Sequence, residues 1–259
     1  MIIRKQQDWF KSLLDNYHNI RKLRLAIILC GHGSRSKRFG SEFKKLLKYV
    51  QNYYTNIDCY ECFIELNDPL LEDCVREISE RYEKIIFVPV FIFKGDHFTN
   101  DVTKKIRAIN KRIYITNNFG LKEEILERYS NIIKSKLSKK YEKNLIAISS
   151  SSKINSVKDD LYNFAKNISN NLNLKSFYTC EYGEEDLVIN EIVKKSIKKK
   201  QQTFLVPVFL FNGYLYQTIK KKFLNSKIWG LNITRPFFEE KIIKDILIEK
   251  VNSGLKQIN

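Results

Sequence analysis

Apolar and polar positions alternate in blocks along the chain. LAIILC (25–30), IDCYECFIE (57–65), KIIFVPVFIF (84–93) and RIYIT (112–116) are short runs rich in β-branched and aromatic residues, and each reads as a strand. Between them apolar residues recur every three or four positions. Over 36–54, Phe39, Phe43, Leu46, Leu47 and Val50 share one side of a helix. Pro69 fits the first turn of a second helix reaching about Tyr82. A third starts near Asp96 and a fourth covers about 121–138. The run at 84–93 is apolar throughout, as expected of a strand buried on both faces. Strands alternating with helices in this way predict a parallel sheet with helices on both sides.

The same order then recurs. A polar hinge, KKYEKN (139–144), leads into strands at 145–149, 174–181, 203–211 and 228–234, with helices at 155–171, 184–199, 214–225 and the C-terminus. VPVFIFKG (88–95) returns as VPVFLFNG (206–213), an offset of 118 residues. The same offset carries GHGSR (31–35) onto SSSSK (149–153), directly after the equivalent strand. Two landmarks agreeing on one offset indicate a duplication. The predicted division is an N-terminal helical extension over 1–22, a first α/β domain over 23–140 and a degenerate copy over 141–259.

Composition narrows the class. The chain has 259 residues, 43 % of them apolar, and no apolar run approaches the roughly 18–20 residues that span a bilayer. The first 22 residues carry Asp8 and Asp15 and lack the apolar core of a signal peptide; Trp9, Phe10, Leu13, Leu14 and Tyr17 suggest an amphipathic helix. Five cysteines without such a peptide point to reduced thiols in the cytoplasm, or in a plastid stroma if the gene is organellar. Cys59 and Cys62 have metal-ligand spacing, but in a strand residues three apart face opposite ways. The net charge of +17 suits an anionic partner, although abundant Lys, Asn and Ile is also the imprint of AT-rich coding.

Of three histidines, two follow predicted strands. His32 lies between Gly31 and Gly33 after the first, and His97 follows the third in VPVFIFKGDHFTND. Glu65 ends the second, in CFIELNDP. Ligands of open parallel sheets bind outside the carboxyl ends of the strands, so all three face one crevice. Two imidazoles and a carboxylate suit a borderline divalent metal, and equally suit proton transfer near neutral pH. The bland alternatives are a satisfied turn histidine and a surface carboxylate. His18 sits in the N-terminal extension and reads as solvated.

LCGHGSR, FIELNDP and VPVFIFKGDHFTND together, in this order, resemble the sirohydrochlorin chelatases, the small class II tetrapyrrole chelatases. The resemblance is close over about 24–138, and the second half matches as a degenerate copy, as in the long two-domain members. It implies tandem chelatase-like (flavodoxin-like) domains, each a four-stranded parallel sheet flanked by helices. It also implies insertion of Fe²⁺ (toward sirohaem) or Co²⁺ (toward cobalamin) into sirohydrochlorin, without ATP or an organic cofactor, the metal being a substrate. His32, Glu65 and His97 would then handle metal and protons, and Ser34, Arg35 and Lys94 are candidates for holding substrate carboxylates. Ser150 and Leu215 replace the histidines in the second half, where Glu181 is a candidate match for Glu65. The expected partner is sirohydrochlorin, with no nucleic acid or membrane, and the expected state is a monomer of two pseudo-symmetric halves.

Three other readings compete. A histidine phosphatase needs an arginine directly before the histidine, where Gly31 stands. A basic nucleic-acid-binding protein explains the charge but not three candidate ligands at three strand ends. A non-catalytic metal-carrying protein would bind the ion without turnover.

Overall fold

The computed structural model describes residues 24–95, 102–110, 112–198 and 200–258. The N-terminal extension, His18 and His97 lie outside these residues, so the expectations that fall on them carry no structural account.

Among the described residues eight strands form two parallel sheets of identical order. In the first half β1 (Leu25–Gly31), β2 (Asp58–Phe63), β3 (Lys84–Pro89) and β4 (Tyr114–Ile115) run β2-β1-β3-β4. In the second, β5 (Glu142–Ser149), β6 (Ser176–Glu181), β7 (Gln201–Pro207) and β8 (Leu231–Ile233) run β6-β5-β7-β8. Helices α1 (Lys37–Tyr53), α2 (Leu71–Arg81), α3 (Lys104–Ile109) and α4 (Glu123–Lys134) belong to the first half by sequence. Helices α5 (Asn155–Asn171), α6 (Glu185–Lys198), α7 (Tyr214–Leu224) and α8 (Lys241–Ile258) belong to the second.

The central strand β1 has a partner on each side, and Ala26 to Cys30 are fully buried. Its alternation divides the core. Ile27 and Leu29 face inward to a cluster shared with Leu145, Ala147, Phe204 and Val206 of the second sheet. Ala26, Ile28 and Cys30 face outward to a separate cluster under α2 and α3. Cys59 and Cys62 fall into the inner and outer clusters respectively, as strand geometry requires, and all five cysteines are free thiols.

The halves are tied by an exchange of terminal helices. Helix α8 packs on β3, β4 and α1 of the first half, so closely that a Cβ at Gly254 would lie 2.6 Å from Ile86. Helix α4 packs on α5, with Tyr129 against Phe164 and Phe237 and its hydroxyl donating to the Arg235 carbonyl at 3.0 Å. Lys250 of α8 is buried and donates to the Asn118 carbonyl, and burial holds its pKa down at about 8.

Several boundaries differ from the pattern, and β5 starts at Glu142, inside the run expected as a hinge. The apolar runs at 84–93 and 203–211 stop being strands at Pro89 and Pro207. Val90, Ile92, Val208, Leu210 and Phe211 remain buried, but in loops that enter the shared core between the halves. Their backbone pairs with loops instead: Phe119 and Gly120 donate to Phe91 and Ile92, and Phe237 and Phe238 donate to Phe209 and Leu210. Pro69 lies before α2, not in its first turn; its carbonyl accepts from Phe63. Among the described residues no helix is long and apolar enough to cross a membrane.

Candidate active site

Parallel pairing of β1 with β2 continues two residues beyond the strands. Ile64 donates to the Gly31 carbonyl and Glu65 to the His32 carbonyl, both at 3.0 Å. This continuation sets His32 and Glu65 side by side at the carboxyl edge, with Nδ1 and Oε1 3.4 Å apart. Their side chains are 40 % and 50 % exposed, so an incoming ion or macrocycle can reach both. A neutral imidazole nitrogen and a carboxylate oxygen at this separation can share a divalent cation or a proton. Among the described residues no group of three or more His, Cys, Asp or Glu converges on a metal position, so the two-residue pair is what the geometry supplies.

The flanking glycines make room for the loop's own neighbours. At Gly31 the space is taken by the Phe43 ring, which a Cβ would approach to 2.7 Å. At Gly33, with φ of +102°, it is taken by the Glu65 carbonyl, 1.7 Å from the ideal Cβ position. Both glycines therefore let the His32 loop lie flat against its neighbours.

Ser34 is committed to this loop. Its N–H donates to Asn67 Oδ1 at 2.7 Å, and its hydroxyl oxygen accepts from Ser36 at 3.2 Å and from Tyr214 of the second half at 3.3 Å. Only its hydroxyl proton is left to offer a ligand. Arg35 and Lys94 are exposed. Beside Asn67 opens a groove of about 620 Å³, lined by Lys37, Lys44, Lys45, Lys48 and Glu61. Burial pushes the Glu61 carboxyl above its ordinary pKa, with Lys44 opposing. A larger groove of about 1000 Å³ lies at the opposite, amino edge of the first sheet, near Arg24 and Arg112, and is remote from His32.

Sequence reasoning missed the residues that join the halves here. Glu42 is only 8 % exposed, and its Oε2 accepts from the Asn212 N–H at 2.8 Å. Burial raises its pKa, and the Asn212 bond and Arg38 oppose that. Ser36 Oγ donates to the Asn212 carbonyl at 3.3 Å. A signal was available: Glu42 lies in the apolar stripe of α1 between Phe39 and Leu46, where a carboxylate needs a partner.

The second half has the same frame without the histidine–carboxylate pair. Registers place Ser149 against Glu181 as Gly31 lies against Phe63, so Glu181 corresponds to Phe63 and Gly183 to Glu65. The candidate match of Glu181 with Glu65 is thereby corrected, because it lies two residues short of the loop. Ser150 takes the place of His32. Glu181 instead accepts from the Ser152 N–H at 3.1 Å and pairs with Lys158 at 3.4 Å. Glu185, 1 % exposed, accepts from Gly183 and pairs with Lys222. Its pKa falls because the Gly183 and Lys222 bonds outweigh the opposing effect of burial.

Comparison with known proteins follows the same outline. The sequence model of the CbiX family matches residues 26–135. A sirohydrochlorin ferrochelatase of Priestia megaterium is 24 % identical over 213 residues, covering 76 % of this chain and 77 % of that one. A sirohydrochlorin cobaltochelatase of Methanopyrus kandleri is 31 % identical over 83 residues, 32 % of this chain and 58 % of that one. The crystal structure of the sirohydrochlorin chelatase SirB from Bacillus subtilis subspecies spizizenii, in complex with cobalt, superposes with a TM-score of 0.72 at 21 % identity, covering 90 % and 96 % of the two chains.

Proposed function

The chain belongs to the sirohydrochlorin chelatase family, and from that premise we propose that it inserts a divalent metal into sirohydrochlorin at the His32–Glu65 edge of its first half. The observation that carries the reading is the exposed His32–Glu65 pair, 3.4 Å apart, set by two adjacent strand ends inside the family-matched segment.

The reaction exchanges two pyrrole N–H protons for one M²⁺, so the site must both deliver a cation and take protons. His32 and Glu65 hold the ion loosely through few ligands, which allows its transfer to four ring nitrogens. Once the ion leaves, the same imidazole and carboxylate can act as bases toward the departing protons. His97, on the neighbouring loop by sequence, is proposed as the third member. Arg35, Lys94 and the Ser34 hydroxyl proton are proposed to meet the substrate's carboxylates, aided by the +17 charge. No organic cofactor takes part, and the metal, Fe²⁺ or Co²⁺, is a substrate. We further propose a monomer, divided near residue 140, working in a reducing compartment such as cytoplasm or stroma.

The test is anaerobic incubation with sirohydrochlorin and each metal, followed by absorption spectroscopy. Catalysed conversion to the metallated ring supports the reading. A rate equal to the protein-free control overturns it.

A further inference from the structure

We propose that Leu66 of the first half and Tyr214 of the second are the two apolar walls that hold the faces of the macrocycle, so that each half supplies one; this rests on the chelatase reading above. Both residues are 52 % exposed, and hydrogen bonds of Glu65 and Tyr214 set them beside the His32 loop. Leu66 directly follows Glu65, and its φ of +65° is a left-handed conformation that leucine rarely adopts. Asn67 N–H donates to the Glu65 carbonyl at 2.8 Å across it, and Asn67 Oδ1 in turn holds the Ser34 N–H. The backbone is thus pinned in a shape better suited to glycine or asparagine, yet it carries a large apolar side chain kept in water. Folding gains little from that choice. Strain and exposure next to a reactive carboxylate are accounted for if the side chain meets a ligand.

Tyr214 reaches the same loop from the other half. Its N–H donates to Ser34 Oγ, and it precedes Leu215, the counterpart of His97 by the 118-residue offset. Leu66 and Tyr214 therefore lie one or two hydrogen-bonded steps from Ser34, one in each half. Leu66 lies between Glu65 of the His32–Glu65 pair and Asn67, which lines the lysine-rich groove. Apolar faces with a cationic border match a flat ring carrying carboxylates on its rim, and an aromatic side chain is the apt contact for a π-face. The lost chemistry of the second half is in this way compatible with a retained role in binding.

The experiment measures KM and kcat for sirohydrochlorin, and equilibrium binding of metal-free sirohydrochlorin by tryptophan quenching, for wild type, Tyr214→Ala, Tyr214→Phe and Leu66→Asn. Asparagine tolerates the left-handed backbone, so Leu66→Asn removes the apolar wall without unfolding the loop. The expected result is that Tyr214→Ala and Leu66→Asn raise KM and the dissociation constant roughly three- to tenfold while kcat stays within a factor of two. Tyr214→Phe should match wild type, and Leu66→Asn should melt no lower than wild type. Unchanged KM and binding in both Tyr214→Ala and Leu66→Asn overturn the inference even if the wild type turns over normally. A wild type that binds the ring but never metallates it overturns the chelatase reading instead, and the binding differences still decide the walls.

Discussion

The loops after β1 and β5 share a turn but differ in the side chains they present. In each, a serine hydroxyl oxygen accepts from the N–H two residues on, Ser34 from Ser36 and Ser152 from Ile154. In each, that serine's own N–H is held by a side chain, Asn67 Oδ1 in the first half and Glu181 Oε1 in the second. The first half leaves its histidine and carboxylate exposed and available to each other. The second has serine and glycine at those places, and its carboxylates are bound to Lys158 and Lys222. A loop can therefore keep its turn while the histidine and carboxylate beside it are replaced, because a serine hydroxyl and a partner side chain hold the turn in both halves.

The two loops should differ most at His32. His32→Ala should lower metal insertion by a factor of 100 or more with no change in melting temperature, since the side chain is 40 % exposed and packs no core. Turnover and thermal melting on one preparation check both parts. Glu65→Gln should reduce turnover by roughly 10- to 100-fold and move the acid limb of the pH–rate profile, because the amide cannot accept a proton. An unaltered profile would leave Glu65 a structural residue.

The seam between the halves gives a smaller effect, on stability. Glu42→Ala leaves the Asn212 N–H without its partner and should cost about 1–3 kcal/mol in denaturant unfolding. Glu42→Gln keeps an acceptor oxygen and should cost less. Lys250 predicts a pH effect. Its folded pKa of about 8 lies below the ordinary lysine value, so between about pH 8 and 10.5 the unfolded chain binds a proton that the folded chain does not. Stability should therefore rise over that window, and Lys250→Met should remove this part of the rise. Smallest of all, Ser150→Ala and Leu215→Ala should change turnover by less than twofold.

Much of this was legible in the sequence. Strand-helix alternation specified both parallel sheets, because a strand buried on two faces must be apolar throughout, as β1 is. The repeated VPVF landmark located the duplication. Burial without secondary structure was not legible: Val90, Ile92 and Leu210 read as strand because the pattern records only that they leave water. The exchange of α4 and α8 was equally hidden, since an apolar helix face does not say which sheet it covers. At the site, the proximity of His32 and Glu65 followed from the expectation of adjacent parallel strands. The duties of Gly31, Gly33 and Ser34 did not, because each depends on a contact made by another segment.

In the proposed function, one edge, in the first half, does the chemistry for the whole chain. The most direct measurement is the initial rate of anaerobic sirohydrochlorin metallation with Co²⁺ or Fe²⁺ by wild type, His32→Ala and Ser150→Ala, compared at equal protein concentration. Wild type and Ser150→Ala should catalyse metallation, and His32→Ala should fall to near the protein-free control. Catalysis that survives in His32→Ala and disappears in Ser150→Ala would contradict the proposal.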